Sequence, residues 1–334
     1  MKNILITTVL IALVAGFWSC NNELDVNDEW KEVPVIYGLL DPLDSVHIIK
    51  INKAFLGEGN ALLMAKIPDS SYYGGELVAE LIEIAPEGWT NRTWMLDTMW
   101  IHNKQPGDFF SGDQMLYQVN ADISAINTYM LVLNNTKTKH FASATTSLVK
   151  PINITKPRGG QRFFSFTSTA ETQTELQASA NGRVFQMMIR FHYKEVSFNN
   201  PLDTVHKYID WIFPNKKSSN LTGTDKIAYS FSGAGFYTNI AAKLKEDQDL
   251  KRIPGNVDFI AFAGGDELNT YIDITTTFNT IVQERPEFTN VKNGMGIFSS
   301  RTSAVRTCEM TPASIDSLVN GSKTFHLGFI FPGP

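Results

Sequence analysis

The chain has 334 residues, of which 43% are hydrophobic, 11% aromatic and 19% charged, a composition typical of folded globular proteins. Its formal net charge is −5, from 29 basic and 34 acidic residues, so it lacks the excess of positive charge with which proteins hold nucleic acid. Two cysteines exclude a disulfide-built scaffold, and 23 glycines and 14 prolines exclude a collagen-like or low-complexity chain.

The N-terminus has the features of a bacterial export signal. Lys2 precedes an uncharged apolar run over residues 4–18, which as a helix would be about 22 Å long, shorter than the ~30 Å hydrocarbon core of a membrane. The run ends at Ser19 and Cys20, and polar residues follow at once. A small residue directly before a cysteine at this distance resembles the lipobox of bacterial lipoproteins, which implies a signal peptide over residues 1–19 and lipid on Cys20. The alternative is an ordinary secretory signal with an incidental cysteine.

The rest of the chain predicts a tether followed by β-structure. Residues 20–32 are polar and acidic without an apolar period, which is typical of a flexible tether. From Val33 on, apolar and polar residues mostly alternate, and turn residues separate the runs. Over residues 33–155 this pattern predicts a β-sandwich of the immunoglobulin or transthyretin kind.

Proline and glycine cluster between residues 150 and 160 and indicate a domain junction. We therefore expect residues 156–334 to form a second β-rich domain with short helices near residues 235–247 and 312–319. Its predicted strands include residues 162–167, 268–277 and 324–331. The predicted fold class is mainly β, with a few short helices in the second domain.

Signatures of catalysis are missing from the sequence. It contains neither a Gly-x-Ser-x-Gly turn, a Walker A loop nor a His-Glu-x-x-His motif, and no two of its six histidines stand at metal-ligand spacing. Gly294-Met295-Gly296 lacks the third glycine of a dinucleotide-binding loop and predicts a turn that leads into a strand. We therefore expect no enzymatic activity, no metal and no cofactor. A hydrolase whose carboxylates meet only in space is a less favoured alternative.

Three tryptophans are candidates for ligand stacking. Trp89, Trp94 and Trp100 lie within twelve residues, between polar neighbours, and aromatic rings on a sheet or loop can stack on sugars. The favoured alternative is that Trp94 packs in the core while Trp89 and Trp100 cover its edges.

A short triplet occurs four times. Aspartate followed by Ser or Thr and then Val, Met or Leu occurs around Ser45, Thr98, Thr204 and Ser317. The triplet resembles the acceptor motif for general protein O-glycosylation in the envelope of Bacteroidota, which makes these four hydroxyls candidates for modification. The alternative is that the aspartates and hydroxyls form turns and caps.

Three passages resemble a family of Bacteroidota lipoproteins of unknown function. They are VIYGLL with the following VHIIKI (residues 35–51), YMLVLNN with FASATT (residues 129–146), and residues 268–298 with the ending NGMGIF. Members are commonly associated with TonB-dependent outer-membrane receptors. The resemblance implies a lipid-anchored, non-enzymatic accessory binding subunit of an outer-membrane receptor or uptake system, on the surface or the periplasmic face. A fimbrillin-like structural or adhesive surface subunit is the alternative, and no ligand follows from either.

Overall fold

The computed structural model describes residues 33–54, 71–102, 113–167, 171–198, 203–277 and 288–333. Of these residues 53% lie in strands and 14% in helices, which confirms the predicted mainly β fold. The immunoglobulin or transthyretin kind of sandwich stays a prediction. No helix in the described ranges is long and apolar enough to span a membrane.

The described residues form eighteen strands, three α-helices and one 3-10 turn. In the first half the strands are β1 (Val33–Leu40), β2 (Val46–Ala54), β3 (Leu77–Ile84), β4 (Thr90–Met95), β5 (Asp97–Ile101), β6 (Gln114–Asn120), β7 (Thr128–Asn135), β8 (Phe141–Ser147) and β9 (Asn153–Lys156). In the second half they are β10 (Phe163–Phe164), β11 (Thr172–Gln177), β12 (Val184–Ser197), β13 (Thr204–Ile212), β14 (Lys216–Lys217), β15 (Lys226–Phe231), β16 (Leu250–Gly264), β17 (Val291–Lys292) and β18 (Met295–Met310). The helices are α1 (Gly233–Lys243), α2 (Asp266–Thr277), α3 (Pro312–Asn320) and a 3-10 turn at Phe325–Leu327.

One ten-stranded sheet, the long sheet, runs through both halves of the fold. Its main path has the order β13-β12-β16-β18-β1-β2-β6-β5, and β10 and β14 pair beside it. Strand β18 joins the halves, because residues 295–300 pair in parallel with β1 and residues 301–308 pair antiparallel with β16. A five-stranded sheet (β17-β8-β7-β3-β4) and a three-stranded sheet (β15-β11-β9) complete the β-structure.

Two clusters of buried apolar side chains form the core. The first lies between the β1-β2-β6 part of the long sheet and the five-stranded sheet, and includes Ile36, Ile49, Tyr117, Leu81 and Leu131. The second lies between the β12-β16 part of the long sheet, the three-stranded sheet and helices α1 and α3, and includes Phe191, Phe259, Tyr229, Phe236 and Leu318. Burial of each such side chain stabilises the fold by about 1.5–3 kcal/mol.

Leu148 belongs to the first cluster and the next residue, Val149, to the second. Phe298 of β18, far later in the sequence, belongs to the first cluster again. The C-terminal part of the sequence therefore completes the packing of the N-terminal half. The predicted domain division after residue 155 stays a prediction.

The predicted strand over residues 268–277 is wrong, because these residues belong to helix α2. Ile272, Ile274 and the three threonines at residues 275–277 favour a strand by local preference. The helix forms because β16 ends at Gly264 and two carboxylates, Asp266 and Glu267, occupy the first turn, where they interact favourably with the helix dipole.

Two further predicted strands are shorter or absent in the structure. Of residues 162–167 only β10 is a strand, and residues 324–331 contain the 3-10 turn and a single bridge from Phe329 to Arg252. The two predicted helices correspond to α1, which begins at Gly233 and ends at Lys243, and to α3. Both begin behind a hydroxyl cap, Ser232 for α1 and Thr311 for α3.

Candidate functional site

A groove of about 710 Å³ opens where β12, β13, β16 and β18 lie near one another in the long sheet. The register of the β12–β16 pair shifts at this point, and Gly255 and Asn256 lie opposite the single residue His192. A Cβ atom on Gly255 would be 3.0 Å from the His192 carbonyl oxygen, so the small residue lets the two backbones approach. Such bulges bend a strand and re-aim its side chains, and they are frequent beside functional sites.

Strand alternation directs polar side chains into this groove. Phe191 and Tyr193 of β12 belong to the second core cluster, and the intervening His192 and the following Lys194 do not. Since successive side chains of a strand point to opposite faces, His192 and Lys194 lie on the outer face of the sheet, away from the core.

A hydrogen-bonded chain crosses three strands at the floor of the groove. His192 Nε2 lies 2.7 Å from Asp258 Oδ2, and Thr307 Oγ1 donates to Asp258 Oδ1 at 2.6 Å. The His192 side chain is 40% exposed and that of Asp258 is 19% exposed, so a ligand in the groove can reach this row of hydrogen-bonded side chains. A nucleophile–base pair needs the hydroxyl hydrogen-bonded to the imidazole. Here the Thr307 hydroxyl donates to the Asp258 carboxylate, so these three side chains are not arranged as such a pair.

A buried ion pair fixes the strands beside the groove. Arg252 Nε donates to Glu195 Oε1 at 3.0 Å, Lys207 donates to the other carboxylate oxygen, and Arg252 also donates to the Leu327 carbonyl. Burial raises the pKa of Glu195, but these two cations outweigh it and hold that pKa below its ordinary value. The hydrogen bond to Glu195 also raises the pKa of Lys207. The Lys207 charge is therefore neutralised by Glu195 within the protein.

Two exposed basic side chains stand at the rim of the groove. Lys194 of β12 and His206 of β13 are directly opposite each other in the antiparallel register. Both line the groove, and neither forms an ion pair with a carboxylate in the described part of the chain. Within the described residues, the rim thus presents two nitrogen-bearing side chains that no carboxylate pairs with.

The outer face beside the groove carries an apolar row. Met188 and Ile260 pair across β12 and β16 and belong to neither core cluster, although each is only 8% exposed. Their outer neighbours in the register are Ile212 of β13 and Val305 of β18, both more than half exposed. An ion pair separates this row from the groove: Arg190 donates to both carboxylate oxygens of Asp210, at 2.7 and 3.0 Å.

The tryptophans predicted as stacking residues lie on different elements. Trp89 precedes β4 and is 60% exposed. Trp94 on β4 packs against the first core cluster, and the Arg92 guanidinium lies over the Trp94 ring, 4.7 Å from the ring centre. Trp100 on β5 is 53% exposed and meets Tyr72 edge to face at 6.1 Å. No ring contact joins any two of the three tryptophans, all of which are described. Their role in stacking stays a prediction.

The hydroxyls of the four Asp-Ser/Thr triplets differ in environment. Ser45 lies in the turn after β1, Thr98 on the edge strand β5 and Thr204 at the start of β13, and all three are exposed. Ser317 lies inside helix α3, half-buried, and its Oγ donates to the Ala313 carbonyl oxygen at 2.9 Å. Three sites thus meet the exposure that modification requires. Cys20, the predicted lipidation site, lies outside the described residues.

The groove residues were not identified as a site by sequence reasoning. His192 and Asp258 are 66 positions apart, and Asp258 and Thr307 are 49 apart, so no local motif contains them. The available signal was the hairpin of β12 and β13, whose alternation brings Lys194 opposite His206. Within the described ranges, no three His, Cys, Asp or Glu side chains are placed to hold a metal ion.

Comparison with known proteins adds no family to these observations. No protein-family model matches the chain, and no curated protein matches it. The resemblance to Bacteroidota lipoproteins therefore remains a prediction from the sequence.

Proposed function

We propose that this chain is a non-enzymatic, lipid-anchored binding protein of the outer membrane, an accessory subunit of a receptor or uptake system, and that the groove holds its ligand. The observation that carries the proposal is the groove at the β16 bulge, where polar side chains from three strands converge on the outer face of the long sheet. Its volume of about 710 Å³ lies within the ordinary range for small-molecule sites. The anchor rests on the N-terminal sequence pattern around Cys20.

Lipid labelling in the native host tests the anchor. Cys20→Ala should abolish incorporation of labelled fatty acid and release the protein from the membrane fraction, because no acyl chain is attached. Cys308→Ala is the matched control, since Cys308 is the other cysteine of the sequence, and it should label normally. Full labelling of the Cys20 variant would contradict the anchor.

Purification from the native host tests the binding role. We expect mild detergent extraction to recover the protein with an outer-membrane partner, and native mass spectrometry to show a bound small molecule. Asn256 is exposed and lines the groove, so Asn256→Trp should fill the groove and remove the small molecule while the protein stays folded. A chain recovered alone and empty would contradict the proposal, and polymers in negative stain would favour the structural-subunit alternative.

A further inference from the structure

The rim of the groove carries an excess of donors, and this excess indicates the chemistry of its ligand. Lys194 and His206 are directly opposite in the β12–β13 register, a position where oppositely charged or apolar pairs stabilise a sheet. The chain has 34 acidic residues available for pairing, yet no described carboxylate pairs with either side chain. We propose that the groove binds a small ligand bearing an oxyanion, a carboxylate, phosphate or sulfate, between Lys194 and His206. This inference rests on the proposed function and adds the ligand class to it.

The carboxylates near the groove already accept hydrogen bonds from other side chains of the protein. Both oxygens of Asp258 are engaged, one by His192 and one by Thr307, and both oxygens of Glu195 are engaged by Arg252 and Lys207. An incoming anion therefore meets the Lys194 ammonium, which no described carboxylate neutralises, while the oxygens of Asp258 and Glu195 are already hydrogen-bonded within the protein. Hydrogen bonds from charged donors to oxyanions are about twice as strong as neutral ones.

The walls of the groove are suited to a compact ligand. Pro254 and Gly255 of the bulge and Pro332 near the C-terminus line it together with Asn256, whose amide can donate a further hydrogen bond. The two prolines and Gly255 have no side-chain rotamer freedom to lose when a ligand binds, which keeps the entropic cost of binding small.

Isothermal titration calorimetry of the full chain in mild detergent tests the proposal. Citrate, inorganic phosphate and sulfate are titrated separately at constant pH and ionic strength balanced with chloride, so that screening is equal in all runs. We expect saturable binding of one equivalent of at least one of the three, and the tightest of them identifies carboxylate, phosphate or sulfate as the group recognised.

Variants locate the binding. The double variant Lys194→Met/His206→Gln should weaken the affinity at least tenfold, and Asn256→Trp should abolish binding by filling the groove. Lys226→Met is the matched control, because Lys226 is exposed on the three-stranded sheet, outside the groove lining; its affinity should equal that of the wild type. Circular dichroism checks that each variant is folded.

Two results would overturn the inference. One is the absence of saturable binding with all three anions, and the other is unchanged affinity in both the double variant and Asn256→Trp. A neutral small molecule that co-purifies with the wild type and is lost from Asn256→Trp, together with no anion binding, would overturn the ligand class and leave the proposed function standing.

Discussion

A Cβ atom on Gly296 would overlap the carbonyl oxygen of Ile36, its partner in the parallel pairing of β18 with β1. Gly296 also has a φ of +100°, a conformation that side-chain-bearing residues rarely adopt. This contact lies where the C-terminal part of the chain enters the first core cluster. Both features require glycine at this position.

We expect Gly296→Ala to lower the free energy of unfolding by about 3 kcal/mol, from backbone strain of about 1–3 kcal/mol and the displacement of β1. Urea denaturation followed by circular dichroism measures the change. Gly88→Ala is the control, because Gly88 has a φ of +96° but open space around its Cβ position, so it should lose only the strain energy. Equal losses in the two variants would contradict the role of the Ile36 contact.

A second prediction concerns the pH dependence of a buried carboxylate. Glu83 is fully buried and accepts hydrogen bonds from Arg92, Tyr129, Asn127 and Asn91. The hydrogen bond from Arg92 contributes most to holding its pKa at about 2, below the ordinary 4.5, against the opposing effect of burial. Because the folded-state pKa is lowered, the stabilisation is fully present above pH 4.5 and is lost as the pH falls toward 2.

Glu83→Gln should therefore cost about 2–3 kcal/mol at pH 7, where its donors lose a charged acceptor, and much less at pH 2.5. Urea denaturation of wild type and variant at the two pH values measures this difference. Glu87→Gln in the exposed turn before β4 should change stability little at either pH. A cost that is the same at pH 7 and pH 2.5 would show that the Glu83 charge contributes nothing.

A third prediction separates the tryptophans. Trp94→Ala should cost about 2 kcal/mol, because the ring packs on the first core cluster and under Arg92. Trp89→Ala, at a side chain that is 60% exposed, should stay within about 0.5 kcal/mol of the wild type. Thermal unfolding of both variants checks this, and a larger loss at Trp89 than at Trp94 would reverse the assignment.

Local patterns in the sequence predict where strands such as β2 and β7 lie, but they do not always predict which face is buried. In β2, Val46 and Ile48 are 44% and 46% exposed, whereas His47 and Ile49 are buried. Helix α2 was mispredicted because its β-branched residues favour strands, while the break at Gly264 and the acidic first turn, which favour the helix, are weaker signals. The groove could not be predicted, because His192, Asp258 and Thr307 meet only through the pairing order of three strands far apart in sequence.

The last prediction concerns the four Asp-Ser/Thr triplets. A glycan needs a hydroxyl in solvent on a segment that a transferase can reach, and Ser45, Thr98 and Thr204 are exposed in a turn, on an edge strand and at a strand end. Ser317 differs in exposure, because it is half-buried inside helix α3, where its hydroxyl donates to the Ala313 carbonyl oxygen. We expect the protein from its native host to carry added sugar at the first three positions and none at Ser317. Intact-mass measurement of the four single alanine variants checks this: each of the first three should lose one glycan mass, and Ser317→Ala should lose none. An unmodified wild-type mass would instead assign the triplets to turn and cap hydrogen bonding.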